Sequence, residues 1–379
     1  MMGLARRTHV HSLTAVVCTL ILGLVSGREA AGADQQTGGS ARTEGPAMGS
    51  RVILENVDRY RVNEPLFEGV RVILAYRGET YSPAYVQGIS GAAFRLGGPC
   101  PCAPTCEYAM STDALIHLFG YEHERLGVPA EGPAREEKMG EMIERVRDEI
   151  RAGRPAVVWH AFTSCENDVV CGFDAEQGEF YGRGSYAGLD EYAHAHETRP
   201  LEGTEICGGP HAILIGEKTG SFDPRAAEIA ALKEAVLHAH GASGTDMPSW
   251  PVGIECYDAW IAAYRNKGSF MAPDLPGDSY PLLILQNTRR AASEFMAELA
   301  PKHPKAQAHL EAAAGHFARE SEALTACAEV LAGREKGLSE DQCIRVAGHL
   351  SDARAMYALA IEEIARALRR IEPVSWELP

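Results

Sequence analysis

Three groups of residues in this sequence have the types and spacing to do chemistry. His211 opens the apolar run HAILIG, and Asp223 follows just before Pro224. An imidazole base oriented by a carboxylate is the arrangement that activates a nucleophilic thiol or hydroxyl. Asn63, further upstream, carries an amide of the kind that stabilises an oxyanion. Each has a plainer alternative: a structural histidine at a strand start, an ordinary helix start at Asp223-Pro224, and a turn at Asn63. The second group is Cys100-Pro-Cys-Ala-Pro-Thr-Cys106 together with His194-Ala-His196-Glu197. These are metal-ligand types at tight spacing, but neither matches a standard zinc pattern. A disulfide loop and an exposed polar loop are the competing readings, and no metal or cofactor is expected. The third group is Cys327 and Cys343. What is missing is a nucleophile early in the chain: no Cys or Ser occurs from Arg51 to Tyr81.

The stretch that must position these groups runs from Leu66 to Leu96. Leu66, Phe67, Val70, Ile73, Leu74 and Tyr76 have helical spacing, ended by Gly78. Ser82-Pro83 is a cap followed by proline at the first helical position, so a second helix starts there and stops near Gly88. Ser111 caps a short helix, and Tyr121–Leu126 reads as an edge strand. Arg135–Ala152 is amphipathic, with Met139, Met142, Ile143, Val146 and Ile150 on one face. The period then changes to two. Arg51–Glu55, Ala156–Phe162, Asp168–Asp174 and Glu179–Arg183 read as strands, and the unbroken apolar run His211–Gly216 should be central. Helices follow at about 224–239 and 254–264. Trp159, Trp250 and Trp260 suit core or cleft-wall positions.

From Pro281 the chain is almost wholly helical. Leu310, Phe317, Leu324 and Leu331 repeat every seven residues, and Tyr357, Ile361, Ile364, Leu368 and Ile371 continue a heptad. Ser339 with Gln342 forms a capping box. The pattern predicts an antiparallel hairpin turning at 333–338 against a third helix near Gln286–Leu299. Cys327 and Cys343 lie symmetrically about Glu335 and should face each other. A disulfide there would add about 3 kcal/mol in the chain-entropy account; two core thiols are the alternative.

The whole chain has 379 residues with Lys+Arg 36 against Asp+Glu 52, a formal charge of −16, which disfavours nucleic-acid binding. Arg6-Arg7, the apolar run Leu13–Val25 and Ala31-Gly32-Ala33 read as a signal peptide over 1–33, followed by a polar tether over 34–50. Export is therefore expected, with no stable membrane insertion after cleavage. Removing Cys18 from the ten cysteines leaves nine, an odd number.

Helices first and an antiparallel sheet later is an α+β order. The segments YVQGISGAAFRL, IRAGRPAVVWHAF followed by VVCGFDAE, HAILIGEK and GIECYDAW resemble a group of bacterial proteins related to the N-terminal domain of butirosin biosynthesis protein H. The likeness covers about Val52–Arg265. It implies a papain-like core over 51–220 and a helical extension over 221–372 ending in the long hairpin. It also implies a nucleophilic cysteine on the first core helix, whose position falls near Glu68 or Gly69. Neither residue is a nucleophile. The expectation is an exported, non-catalytic papain-like protein holding a peptide or small acyl or amide ligand in the former cleft. The alternative is an active hydrolase or acyltransferase in which a displaced thiol, from Cys100, Cys102, Cys106 or Cys207, works with His211 and Asp223. The hairpin could also serve as an oligomer face.

Overall fold

The computed structural model describes residues 50–97, 110–203, 209–244, 251–266, 279–332 and 338–372. The expected signal peptide, tether, Cys100–Cys106 loop, Cys207 and hairpin turn lie outside these residues. The fold is α+β, with an antiparallel sheet of seven strands and a helical C-terminal region. The strands are β1 (Arg51–Ile53), β2 (Tyr121–Gly127), β3 (Ala156–Trp159), β4 (Asn167–Asp174), β5 (Glu179–Arg183), β6 (Ala193–His196) and β7 (His211–Lys218). Their order is β2-β7-β3-β4-β5-β6, and β1 pairs with the far half of β4. β2 is an edge strand, as its polar sequence requires, and the apolar β7 is interior, one place in from that edge and not central.

Alternation of side chains sends each strand into two cores. Val157, Val169, Cys171, Ile213 and Ile215 pack on one face of the sheet. Ala156, Val158, Val170, Ala212 and Leu214 pack on the other. The first face receives helix α1 (Pro65–Tyr76), which Glu64 caps through Phe67 N–H. The second receives the amphipathic helix spanning Arg135–Arg151, through Met139, Met142, Val146 and Ile150. Helix α2 (Pro83–Ile89) follows α1, capped by Ser82, and a 3-10 turn at Ala92–Phe94 completes the expected Gly-rich exit. Helix α3 is Thr112–Leu118 and the Arg135–Arg151 helix is α4.

Helices α5 (Pro224–Ala239), α6 (Gly253–Arg265), α7 (Ser279–Leu299), α8 (Gln307–Leu331) and α9 (Glu340–Ile371) form the C-terminal region. The capping box Ser339–Gln342 opens α9. One continuous apolar cluster runs from Val57 and α1 through α2 to α7, α8 and α9, so the two expected halves share a core. Cys327 on α8 and Cys343 on α9 are buried in that core as thiols. No sulfur–sulfur bond joins them: Cys327 Sγ donates instead to the Val346 carbonyl at 3.8 Å. They pack here as small apolar side chains.

The shared core is pinned by a fully buried ion pair. Arg289 on α7 donates from Nε to Glu320 on α8 at 2.6 Å, and from its two other nitrogens to the carbonyls of Ala93 and Arg95. Both side chains have no exposed surface. Tyr257 adds a hydrogen bond to Glu320, and Tyr357 bonds the Phe94 carbonyl. Removing one partner leaves the other charge buried and unpaired. Glu320→Ala should therefore lower stability by about 3–5 kcal/mol, read as a shift in the urea midpoint. A loss below about 1 kcal/mol, the size expected of a surface pair, would show that the pair is not structural.

Candidate functional site

Asn167, the first residue of β4, sits where the expected site residues meet. Its side-chain Oδ1 lies 3.1 Å from His211 Nε2, at the neighbouring end of β7. Its backbone carbonyl accepts from the Tyr60 hydroxyl at 2.7 Å and from Ser185 Oγ at 2.9 Å. Trp159, at the end of β3, stacks on the His211 ring with centroids 6.3 Å apart and a 26° interplanar angle. Three adjacent strand ends thus converge on His211, which is only partly buried. Burial pushes the His211 imidazole below its ordinary pKa, opposed by the Gly209 carbonyl. Both ring nitrogens face acceptors, Nε2 the Asn167 amide oxygen and Nδ1 the Gly209 carbonyl at 3.4 Å, and the neutral ring has a proton for one of them.

The structure corrects the pairing of His211 with Asp223. β7 is extended over eight residues, His211–Lys218, which places its two ends roughly 23 Å apart. Asp223 lies beyond the far end, where its carboxylate caps α5 by accepting from Ala226 N–H at 3.1 Å. The side chain within hydrogen-bond distance of His211 is the amide of Asn167, which sequence reasoning passed over. Two polar residues, Asn167 and Asp168, opening an otherwise apolar strand were the available signal. Asn63 precedes α1, and its Oδ1 accepts from Ala187 N–H at 3.0 Å, so it ties the helix entry to the segment after β5.

Gly69 lies on the face of α1 turned toward this end of the sheet. A β-carbon there would stand 2.8 Å from the Tyr60 hydroxyl oxygen and 3.4 Å from Val157 Cγ2. The Tyr60 hydroxyl, itself bonded to Asn167, therefore occupies the space that a side chain at position 69 would need. The first turns of α1 carry buried acids instead of a thiol. Glu64 accepts from Gln87 Nε2, and Glu68 accepts from Arg71 Nε at 2.8 Å and from Arg61 N–H. Burial raises Glu68 to about 7 despite the Arg71 guanidinium, and burial also raises Glu64.

Asp168 is fully buried beside Asn167 and accepts from Phe162 N–H at 2.6 Å, Thr163 N–H at 2.8 Å and the Ser185 hydroxyl. Burial raises it to about 6, against the lowering effect of those hydrogen bonds. It holds the 160–166 loop between β3 and β4 in shape. His160 and Cys165 in that loop adopt left-handed backbone angles, φ 57° and 60°, uncommon for residues with side chains. Cys165 N–H donates to His160 Nδ1 at 2.8 Å. Burial lowers the His160 pKa to about 4, helped by Arg199, so the ring accepts that bond in its neutral form.

The other sequence candidates do not join this site. His194 and His196 lie exposed on edge strand β6. His194 stacks on Tyr181, His196 bonds Thr198, and Glu197 pairs with Arg147 at 2.5 Å. Among the described residues no group of three His, Cys, Asp or Glu side chains is placed to hold a metal ion. Cys171 and Cys256 are pushed up to about 12 by burial, so neither forms a thiolate at neutral pH.

Two measurements check this geometry. A helical Gly→Ala change in open space stabilises by roughly 0.5–1 kcal/mol. Gly69→Ala should instead destabilise, by about 1–3 kcal/mol, because the methyl meets the Tyr60 hydroxyl. In a Tyr60→Phe background the same change should become neutral or stabilising; equal effects in both backgrounds would show that the hydroxyl does not fill the space. The second measurement is pH dependence. Asp168 and Glu68 have folded-state pKa values above their ordinary ones, so the folded state binds more protons. Their contribution to stability is complete below about pH 4 and is lost as pH rises through 6 and 7. Asp168→Asn should therefore gain on the wild type as pH rises from 4 to 6, read by urea melts. An unchanging difference would sink the assignment.

No protein-family model matches the chain, and no curated protein is significantly similar to it in sequence.

Proposed function

We propose that this chain is an exported, non-catalytic protein of papain-like ancestry that binds a peptide or small amide ligand beside His211 and Asn167. The observation carrying the first part is the contact at Gly69. The expected nucleophile position has no side chain, and the Tyr60 hydroxyl stands 2.8 Å from where a β-carbon would be. An acyl-enzyme needs a nucleophile at that point, and glycine offers none. The ligand-binding part rests on the partly exposed His211–Asn167 pair, which offers polar groups at the sheet end and is backed by the buried Trp159 ring. No helix among the described residues is long and apolar enough to cross a membrane. Export rests on the arginine, apolar and Ala-Gly-Ala pattern of residues 1–33.

A displaced-thiol enzyme is the second reading, favoured by one observation. The loop carrying Cys165 begins directly after Trp159 and ends at Asn167, and both of those residues touch His211. A thiol on that loop would have His211 as its base, with Asn167 in the orienting role.

One set of assays separates the two. The mature chain is offered a fluorogenic peptide amide and a small acyl thioester, with Trp159 fluorescence recorded as a short peptide is titrated. The non-catalytic reading expects no turnover above buffer, and a fluorescence change lost in His211→Ala and Trp159→Phe. Turnover abolished by both iodoacetamide and His211→Ala would establish the thiol enzyme instead. Absence of turnover with no fluorescence change would refute ligand binding at this cleft.

A further inference from the structure

A cavity of about 620 Å³ opens at the other end of the sheet, beyond the last residues of β7. Its lining includes Tyr81, Tyr85, Phe222, Lys218, Lys302 and Glu298. The rings form one cluster: Tyr81 stacks on Tyr85 at 5.8 Å and meets Phe222 edge-on at 5.8 Å. Tyr81 and Phe222 are only half-buried, so aromatic surface is left uncovered in the cavity.

The charged groups of the lining are already positioned: Lys302 and Glu298 pair with each other at 3.4 Å, and each has a further partner. Lys302 Nζ lies 3.0 Å from Glu228, a buried carboxylate that also takes the Tyr85 hydroxyl at 3.1 Å and His303 Nε2 at 3.2 Å. The same ammonium sits 4.6 Å above the Tyr85 ring. Lys218 is fixed by Glu79 at 2.6 Å, and Glu298 by the Ser82 hydroxyl at 2.7 Å. Neither Glu228 nor Glu79 is part of the lining. Lys218, Lys302 and Glu298 nonetheless keep 38%, 41% and 36% of their side chains exposed, enough to meet a ligand. Such a site loses little side-chain entropy on binding.

From this arrangement we propose a second binding site, for a small zwitterion with an apolar side group: an aromatic amino acid or a dipeptide with both termini free. A ligand bearing only a carboxylate would meet Glu298 as well as the lysines, and a ligand bearing only an amine would meet two ammonium groups. A ligand with both charges puts its carboxylate on Lys302 or Lys218, its amine on Glu298 and its side group on the Tyr81–Phe222 surface. The volume falls in the range of small-molecule pockets. This site is independent of the His211 cleft and stands or falls separately from it.

The test is calorimetric titration of the mature chain with Gly-Phe, N-acetyl-Gly-Phe and Gly-Phe-amide. Gly-Phe should bind with Kd on the order of 0.1–1 mM, and each capped peptide at least about tenfold more weakly. Glu298→Gln should erase the preference against the acetylated peptide, and Lys302→Gln the preference against the amide. Lys302 is a partner of buried Glu228, so Lys218→Gln serves as the second variant if Lys302→Gln fails to fold. Tyr81→Leu should weaken all three peptides, and His211→Ala should change nothing. Equal affinity for free and capped peptides would overturn the proposal. So would wild-type affinity in the folded variants, or no heat of binding up to about 10 mM.

Discussion

The whole arrangement depends on where the buried Arg289 guanidinium ends. Three consecutive carbonyls, of Ala93, Phe94 and Arg95, emerge from a 3-10 turn too short to satisfy them internally, in a place from which water is excluded. Arg289 takes the first and third, and the Tyr357 hydroxyl takes the second. His238 meets the next residue: Arg95 Nη1 lies 3.1 Å from its Nδ1, and the Leu96 N–H and carbonyl lie 2.9 and 3.2 Å from its Nε2. Helices α5, α7 and α9 are thus held to the Gly-rich exit of α2 by hydrogen bonds that the exit cannot make alone. Glu320 neutralises Arg289 and is itself bonded by Tyr257. Desolvating both charges is expensive, and the close geometry and the Tyr257 bond offset part of it; Glu320 Oε2 makes no hydrogen bond among the described residues and burial still raises the Glu320 pKa. The C-terminal helices are therefore part of one folded unit with the sheet. Gly88 makes the same point sterically: a β-carbon there would fall 2.2 Å from the Phe295 ring of α7, so that helix can approach only because the residue is glycine.

Most of the architecture was legible because it is written in local patterns. The period-two strands, the heptads of α8 and α9, and the caps Ser82, Ser111 and Ser339 each follow from residues close in sequence. The unbroken run HAILIG marked β7 as an interior strand, since only a strand covered on both faces can be apolar at every position, but not its place next to the edge strand β2. The site was legible only in part. His211 was found by its position at a strand start, but its partner was misassigned. An aspartate before a proline suits both a helix cap and an orienting carboxylate, and only the length of β7 separates the two roles. Asn167 carried a weak signal, and Tyr60 carried none. A tyrosine hydroxyl filling the space above a glycine is a relation between residues on different segments. Periodicity does not report it.

The absence of a side chain at Gly69 is matched by the electrostatics of α1. A catalytic thiol on a helix depends on the positive end of that helix, or on a neighbouring cation, to hold the thiolate. Here Glu64 caps the helix N-terminus with its own carboxylate, and Glu68 is buried one turn further on. The one buried cation nearby, Arg71, is already shared between Glu68, Asp58 and the Arg59 carbonyl. A thiol introduced at position 69 would meet two acids and no uncommitted positive group among these residues, so its pKa would rise and its thiolate would be scarce. Introducing a sulfur alone would not create thiolate chemistry at this position. The glycine, the Tyr60 hydroxyl and the two glutamates form a consistent set: the helix terminus is neutralised by carboxylates that also fasten it to Arg61 and Gln87. That a steric and an electrostatic feature, set by different residues, exclude the same reaction is a stronger argument than the missing thiol by itself.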